Sequence, residues 1–435
     1  METERIGNVL SEMNRKTTDS WVLRAGWLID GSGGPVLENV RLRIQDGVIA
    51  AVDAFSSDRN ERPDAEDLSG YTLLPCLVDS HVHLFMSGTS DLSIRTRQLD
   101  APFSEIKNVI AGHMEAHLLS GITAVRDGGD HHAHALRFKT ECLDPGTSFQ
   151  LQAAGRAWHR PNRYGRLIGR GPVADGSLAD AIAGEPAPID HVKIVNSGLN
   201  SLVKFGYQTA PQFNLAEMQA AVRAAGRKGL SVMVHANGKI PVAIGVSAGC
   251  RSIEHGFFMG KENLRLMAEK GVFWIPTAAT MQAYGDHLER IGENPDVARR
   301  NLEHQMEQIA LARELGVSIA AGTDAGSLGV HHGRGIVREL IILKRAGLSI
   351  QETIRCATAN GAVLLNLPDF HLLVRGLPAS FIAVKGGPDG LPDSLLSIGK
   401  ICIRGIVYDL PGEGSAPGCF NRRAGDSSPG QSRPA

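Results

Sequence analysis

From about residue 74 to residue 367 the chain alternates short apolar runs with stretches of helical periodicity, and no other feature restricts its fold so strongly. Residues 216–228 carry a helical pattern and are followed by the apolar run 230–234; residues 301–314 and 317–321 repeat the arrangement. Repeated strand–helix units of this kind predict a parallel sheet or a barrel, because each helix carries the chain back to start the next strand in the same direction. A chain of 435 residues is long enough for about three average domains, yet one α/β barrel alone takes up roughly 250 residues.

The ends read differently. Short strands are predicted over 21–29, 40–44 and 48–52, separated by Gly31-Ser32-Gly33-Gly34-Pro35 and Asp46-Gly47. Apolar segments of the same kind return at 381–384 and 401–408, the second broken by a turn at Gly405, so the two ends are expected to pair in one β domain. Residues 411–435 are rich in Gly, Ser, Pro and Arg and are expected to be disordered.

A formal charge of -1 with 43% hydrophobic residues argues against a nucleic-acid or membrane-surface partner and for a small-molecule substrate. Six cysteines (Cys76, Cys142, Cys250, Cys356, Cys402, Cys419) lie scattered without a C-x-x-C pair, and Met1-Glu2-Thr3-Glu4-Arg5 lacks the basic-then-apolar profile of a leader. Both features predict a cytoplasmic protein. No run approaches the ~18 apolar residues of a membrane span.

Chemistry in parallel α/β folds gathers where apolar strands end. The run Leu73-Leu74-Pro75-Cys76-Leu77-Val78 ends in Asp79-Ser80-His81-Val82-His83, and two histidines one residue apart on a strand face the same side, where one metal ion can be gripped. Lys193 stands inside His191-Val192-Lys193-Ile194-Val195, a setting that a solvated ammonium would avoid. His235 closes the run 230–235, His255 closes 252–255, and Asp324 closes 317–324. Any one of these is more simply a satisfied core polar residue; together, after a His-x-His, they point to a site. No phosphate loop, G-x-S-x-G elbow or cysteine cage competes.

In the order His81-x-His83, Lys193, His235, His255, Asp324 the chain resembles the amidohydrolase superfamily in its two-metal, carboxylated-lysine subtype. The segments Val232-Met233-Val234-His235-Ala236, Ser252-Ile253-Glu254-His255-Gly256, Ile275-Pro276-Thr277 and Ala321-Gly322-Thr323-Asp324-Ala325-Gly326 are similar to the imidazolonepropionase-like and prolidase-like branch. The resemblance implies a (β/α)8 TIM-type barrel over 74–367, with a small β-sandwich domain built from 1–73 and 368–410. It implies that His81, His83 and Asp324 hold one divalent ion and His235 and His255 the other, zinc being the first choice, with a carbon dioxide-derived carbamate on Lys193 and a hydroxide between them. Close cations need anionic bridges, and enclosing Lys193 in valine and isoleucine favours the neutral amine that carbon dioxide attacks. Asp324 would move the proton from the attacking hydroxide to the departing nitrogen of an amide-type C–N bond in a dipeptide, N-acyl amino acid or cyclic amide. The same site could hydrolyse an ester, a lactone or a urea; a barrel that kept its shape and lost its chemistry is the remote third reading.

Substrate contacts must come from the loops. The segment 156–170 carries five arginines, which suits an anionic substrate or, equally well, a solvated loop or the contact of a homo-oligomer. His159, Arg160, Tyr207 and His332 are the residues singled out here as substrate contacts. The cluster His131-His132-Ala133-His134 is read as the polar start of a helix and not as a further metal site.

Overall fold

The structure is a computed structural model that describes residues 15–16, 20–55, 65–144, 147, 149–173, 176–367 and 371–409. The tail expected to be disordered, Cys419 and the first five residues lie outside the described residues.

The alternating region is α/β, as its periodicity requires. Leu77–Val82, Ile122–Asp127 and Gln150–Ala153 form one parallel sheet, and Gly169–Arg170, Ala157–Trp158, Val192–Val195, Val232–Ala236, Ser252–His255 and Phe273–Ile275 follow one another in a second. Every residue of Leu77–Val82, Ile122–Asp127, Val192–Val195 and Val232–Ala236 is buried, which is what parallel strands covered on both faces demand. The segment 156–170, expected as a loop, contains two of these short strands. Residues 318–325 make only isolated bridges, yet they bond to both sheets: Ala320 N donates to Trp274 O at 3.0 Å, and Ser80 N and His83 N donate to Ala321 O and Ala325 O at 2.9 and 2.8 Å.

Helices close the return paths. Leu215–Arg227 shows how the sequence sets one: Asn214 accepts from Glu217 N while the Glu217 side chain accepts from Asn214 N, a reciprocal cap. Met218, Ala221, Ala224 and Ala225 then form its buried stripe, and Gly229, at φ +72°, ends it in a left-handed conformation that a glycine adopts without strain. Among the described residues, no helix is long and apolar enough to cross a membrane.

Strands from both ends of the chain share a single eight-stranded sheet, in the order Arg15–Lys16, Ile406–Asp409, Ile398–Ile403, Phe381–Lys385, Glu66–Pro75, Ser20–Leu28, Leu37–Gln45, Val48–Ala54. The strands of the two ends therefore pair in one hydrogen-bonded sheet. Its physical cause is the parallel pairing of Ser20–Leu28 with Glu66–Pro75, which joins the N-terminal meander to the C-terminal strands. Register shifts after Ala25, Arg43 and Ala383 bend the ribbon, and Leu23, Leu42, Leu73, Phe381 and Cys402 form its core. Glu66–Pro75 runs through Cys76 directly into Leu77–Val82, so the small sheet and the strand that carries His81 are one stretch of chain.

Phe381 is fully buried and stacks on Trp21 with ring centroids 5.9 Å apart, tying the two ends together. We expect Phe381→Ala to lower unfolding stability by about 3–5 kcal/mol, read as a lower urea midpoint with an unchanged slope.

Candidate metal centre

Extended backbone over Leu77–Val82 carries His81 and His83 to one side, and the 318–325 segment brings Asp324 against them, its N–H donating to His81 O at 2.7 Å. Asp324 Oδ1 lies 3.5 Å from His81 Nε2 and 3.4 Å from His83 Nε2, and one ligand atom from each of the three residues falls within 4.8 Å of the others. Among the described residues this is the one cluster of three or more His, Cys, Asp or Glu placed to share an ion.

The other predicted ligands converge on the same place. Lys193 Nζ is 3.4 Å from His81 Nε2; the His81 and His255 rings are 5.1 Å apart, and those of His235 and His255 are 4.5 Å apart. Hydrogen bonds to the far ring nitrogens select the tautomers. His81 Nδ1 donates to Glu254 Oε2 and His83 Nδ1 to Gly129 O, both at 2.8 Å, which turns the Nε2 lone pairs toward Asp324. Thr277 donates its hydroxyl to Pro276 O and so accepts from His255 Nδ1 at 2.7 Å, leaving His255 Nε2 open. His235 Nε2 donates to Gly198 O at 3.2 Å, leaving Nδ1.

Electrostatics favour neutral donors. Burial, with Lys193 nearby, lowers His83 to about 4 and His235 to about 3, and holds His81 and His255 well below the ordinary histidine range. Burial also lowers Lys193 to about 8, against the pull of Glu254 and Asp324. Four neutral imidazoles, a lysine that loses its proton more easily than usual and one carboxylate are a donor set that fits divalent transition metals.

Backbone strain concentrates on these residues. His255, Thr277 and Asp324 sit at φ +68°, +46° and +57°, where side chains other than glycine cost on the order of 1–3 kcal/mol each. Gly322 is needed for a different reason: a Cβ there would come within 2.5 Å of Ile275 Cγ2 and 3.0 Å of His81 N.

Sequence reasoning passed over the residues that hold the ligands. Glu254, fully buried, is also paired with Arg126 at 2.9 Å, and Arg126 binds Ser80 O and Ser252 Oγ. Asp79 accepts from Thr323 N and Thr323 Oγ1, fixing the residue before Asp324, and burial raises it to about 7. Asp127 accepts from Gly129 N, the residue whose carbonyl holds His83. Glu339 accepts from Ala278 N and Ala279 N beside Thr277, and burial raises it to about 8. For Asp79, Asp127 and Glu254 the available signal was an acidic residue in an otherwise apolar strand, which implies a buried partner; Glu339 stands in the helix Gly335–Arg345.

The four proposed substrate contacts divide. His159 is buried, with Nδ1 donating to Arg160 O and Nε2 without a partner among the described residues, and Tyr207 is 45% exposed. Arg160 is committed elsewhere, to Gln212 O and to Glu217 at 2.6 Å. His332 packs in a histidine cluster, 3.9 Å from the His113 ring centroid, with Nδ1 3.1 Å from His117 Nε2 and Nε2 bonded to Met86 O. Its neighbours are thus protein groups. Two residues absent from the sequence-based list also lie at the cluster: the Tyr164 ring is 5.4 Å from His235, and the hydroxyls of Tyr164 and Tyr284 are raised by burial and by the charge of Asp324. Around His131, His132 and His134, Asp130 accepts from the backbone of His132, His134 and Ala135 at the start of the helix His134–Glu141, as the helix-start reading expects.

Because Glu254 sets the His81 tautomer, Glu254→Gln is expected to weaken divalent-metal binding about 10- to 100-fold, measured by competition with a chromophoric chelator.

Residues 72–407 match the amidohydrolase family. Ochratoxinase of Aspergillus niger is 26% identical over 405 residues, covering 84% of this chain and 81% of that protein; imidazolonepropionase of Salinispora arenicola is 24% identical over 380 residues, covering 82% and 90%. The crystal structure of a Xaa-Pro dipeptidase with methionine bound in its active site matches with a TM-score of 0.74 at 26% identity, over 90% of this chain and 100% of that one. With a donor cluster of this kind and enzymes of this kind as relatives, the chain is a hydrolase acting on C–N bonds, in the imidazolonepropionase- and prolidase-like branch, and it belongs to the amidohydrolase family.

Proposed function

We propose that the protein is a two-metal hydrolase that cleaves the amide-type C–N bond of a small molecule: a dipeptide, an N-acyl amino acid or a cyclic amide. In this reading residues 74–367 close into a (β/α)8 barrel through the 318–325 segment, and the small β domain from 1–73 and 368–410 braces it. The observation that carries the reading is the convergence of His81, His83, Lys193, His235, His255 and Asp324 on one buried point. The kinship with ochratoxinase, imidazolonepropionase and a Xaa-Pro dipeptidase supports it.

His81, His83 and Asp324 would hold one ion, His235 and His255 the other, and Lys193, as its carbamate, both. Zinc suits the imidazole-rich set. When bound, such ions acidify water and polarise a carbonyl. The chain's own residues do the rest. Burial lowers Lys193 to about 8 and so enlarges the fraction of neutral amine, the form that reacts with carbon dioxide. Ser327 Oγ donates to Asp324 Oδ2 at 2.8 Å, which steadies the carboxylate that takes a proton from the attacking water and hands it to the departing nitrogen. Tyr164, beside His235, offers a hydroxyl that burial keeps protonated and able to donate.

Protein purified without chelator should carry about two metal equivalents, and chelation should abolish amide hydrolysis. Lys193→Ala should lose both metal and turnover, with partial return in short carboxylic acids that stand in for the carbamate. Full activity of that variant without any added acid would overturn the bridging role, and esterase activity without amide turnover in the intact enzyme would overturn the assignment of the bond.

A further inference from the structure

We propose that Arg95 is the residue that binds the anionic group of the substrate, and that it selects dipeptides or N-acyl amino acids with a free carboxylate over cyclic or capped neutral amides. The inference rests on the hydrolase reading above and gives it a substrate class.

Arg95 lies in the helix Leu92–Asp100, which follows the strand bearing His81 and His83. Its Nη1 donates to Ser87 O at 2.7 Å and to Gly326 O at 2.8 Å. Ser87 is in the loop leaving His83, and Gly326 is two residues beyond Asp324, so the guanidinium is pinned between the two loops that leave the metal-ligand candidates. The clamp uses one nitrogen. Among the described residues Nε and Nη2 have no protein partner, and neither is sealed from solvent. Those two nitrogens form the edge that receives a carboxylate in a bidentate pair.

Charge balance gives the second argument. Arg97, Arg126, Arg137, Arg160 and Arg170 each face a glutamate, whereas the half-buried Arg95 is paired only with carbonyls, which cannot neutralise it. The nearby groups that favour its charge are the Tyr284 hydroxyl and Asp324, and Asp324 is already committed as a metal ligand. A guanidinium held this way, half out of water and without a counter-ion, is completed by an anion arriving with the substrate. Arg160 and Arg170, in the 156–170 segment, are poorer candidates, since each is already paired, with Glu217 and with Glu185.

The test uses metal-loaded full-length protein, a panel of N-acetyl-L-amino acids and the matching carboxamides. For the wild type we expect the free acids to be preferred, and for Arg95→Gln we expect that preference, the ratio of the two kcat/KM values, to fall roughly 10- to 100-fold, mainly through KM. Arg95→Lys should keep part of it, since the charge stays and the fork is lost, and it serves if the glutamine variant does not fold. A loop clamp without substrate contact would slow acids and carboxamides alike, and an unchanged ratio in both variants overturns the inference. A wild type that prefers carboxamides or cyclic amides also overturns it while leaving the hydrolase reading intact; absence of turnover on every C–N substrate overturns the reading beneath it.

Discussion

Removing ionisable groups from water governs how this molecule is built. A buried carboxylate is costly unless donors surround it, and here four such groups are placed against the candidate ligands or against the residues that position them. Glu254 holds His81 directly, Asp127 holds the peptide that holds His83, Asp79 grips Thr323 beside Asp324, and Glu339 holds the turn at Thr277 that orients His255. Each acid thus satisfies local backbone or side-chain donors and in doing so removes freedom from a candidate ligand. The desolvation that makes the acids expensive is the same that keeps the imidazoles neutral, so one low-dielectric interior serves structure and ligation together.

The positions at strand ends were legible because a polar residue terminating an apolar run has few structural reasons to be there. His81, His83, His235, His255 and Asp324 satisfy that description, Lys193 stood out as a lysine enclosed within such a run, and the structure brings the six together. Their supports were not legible, since Arg126 and Glu254, or Asp79 and Thr323, are far apart in the chain and meet only through strand packing. A similar blindness affected the loops. Nothing in the residues around Arg160 or His332 says that Glu217 and His113 will occupy them, and nothing in Leu92–Asp100 marks Arg95 as an arginine without an acid.

The fold was readable to the same degree and for the same reason. Periodicity is local, so the α/β alternation and the strands at both ends emerge from short windows. Sheet membership is not local: whether 318–325 counts as a strand, and whether the end strands make one sheet or two, depends on partners hundreds of residues away. The left-handed backbone at His255, Thr277 and Asp324 is equally invisible in a window, because non-glycine residues hold it only under tertiary constraint.

The unbroken passage from Glu66–Pro75 through Cys76 into Leu77–Val82 makes the small sheet the phase reference of the centre. Pleated backbone alternates faces at every residue, so gaining a single residue near Cys76 would present Ser80 and Val82 where His81 and His83 now stand, and losing one would present Val82 and Leu84. The junction is therefore a ruler: substitutions there leave the phase of the histidines untouched, whereas any change of length between the last paired residue of that sheet and the first histidine resets it.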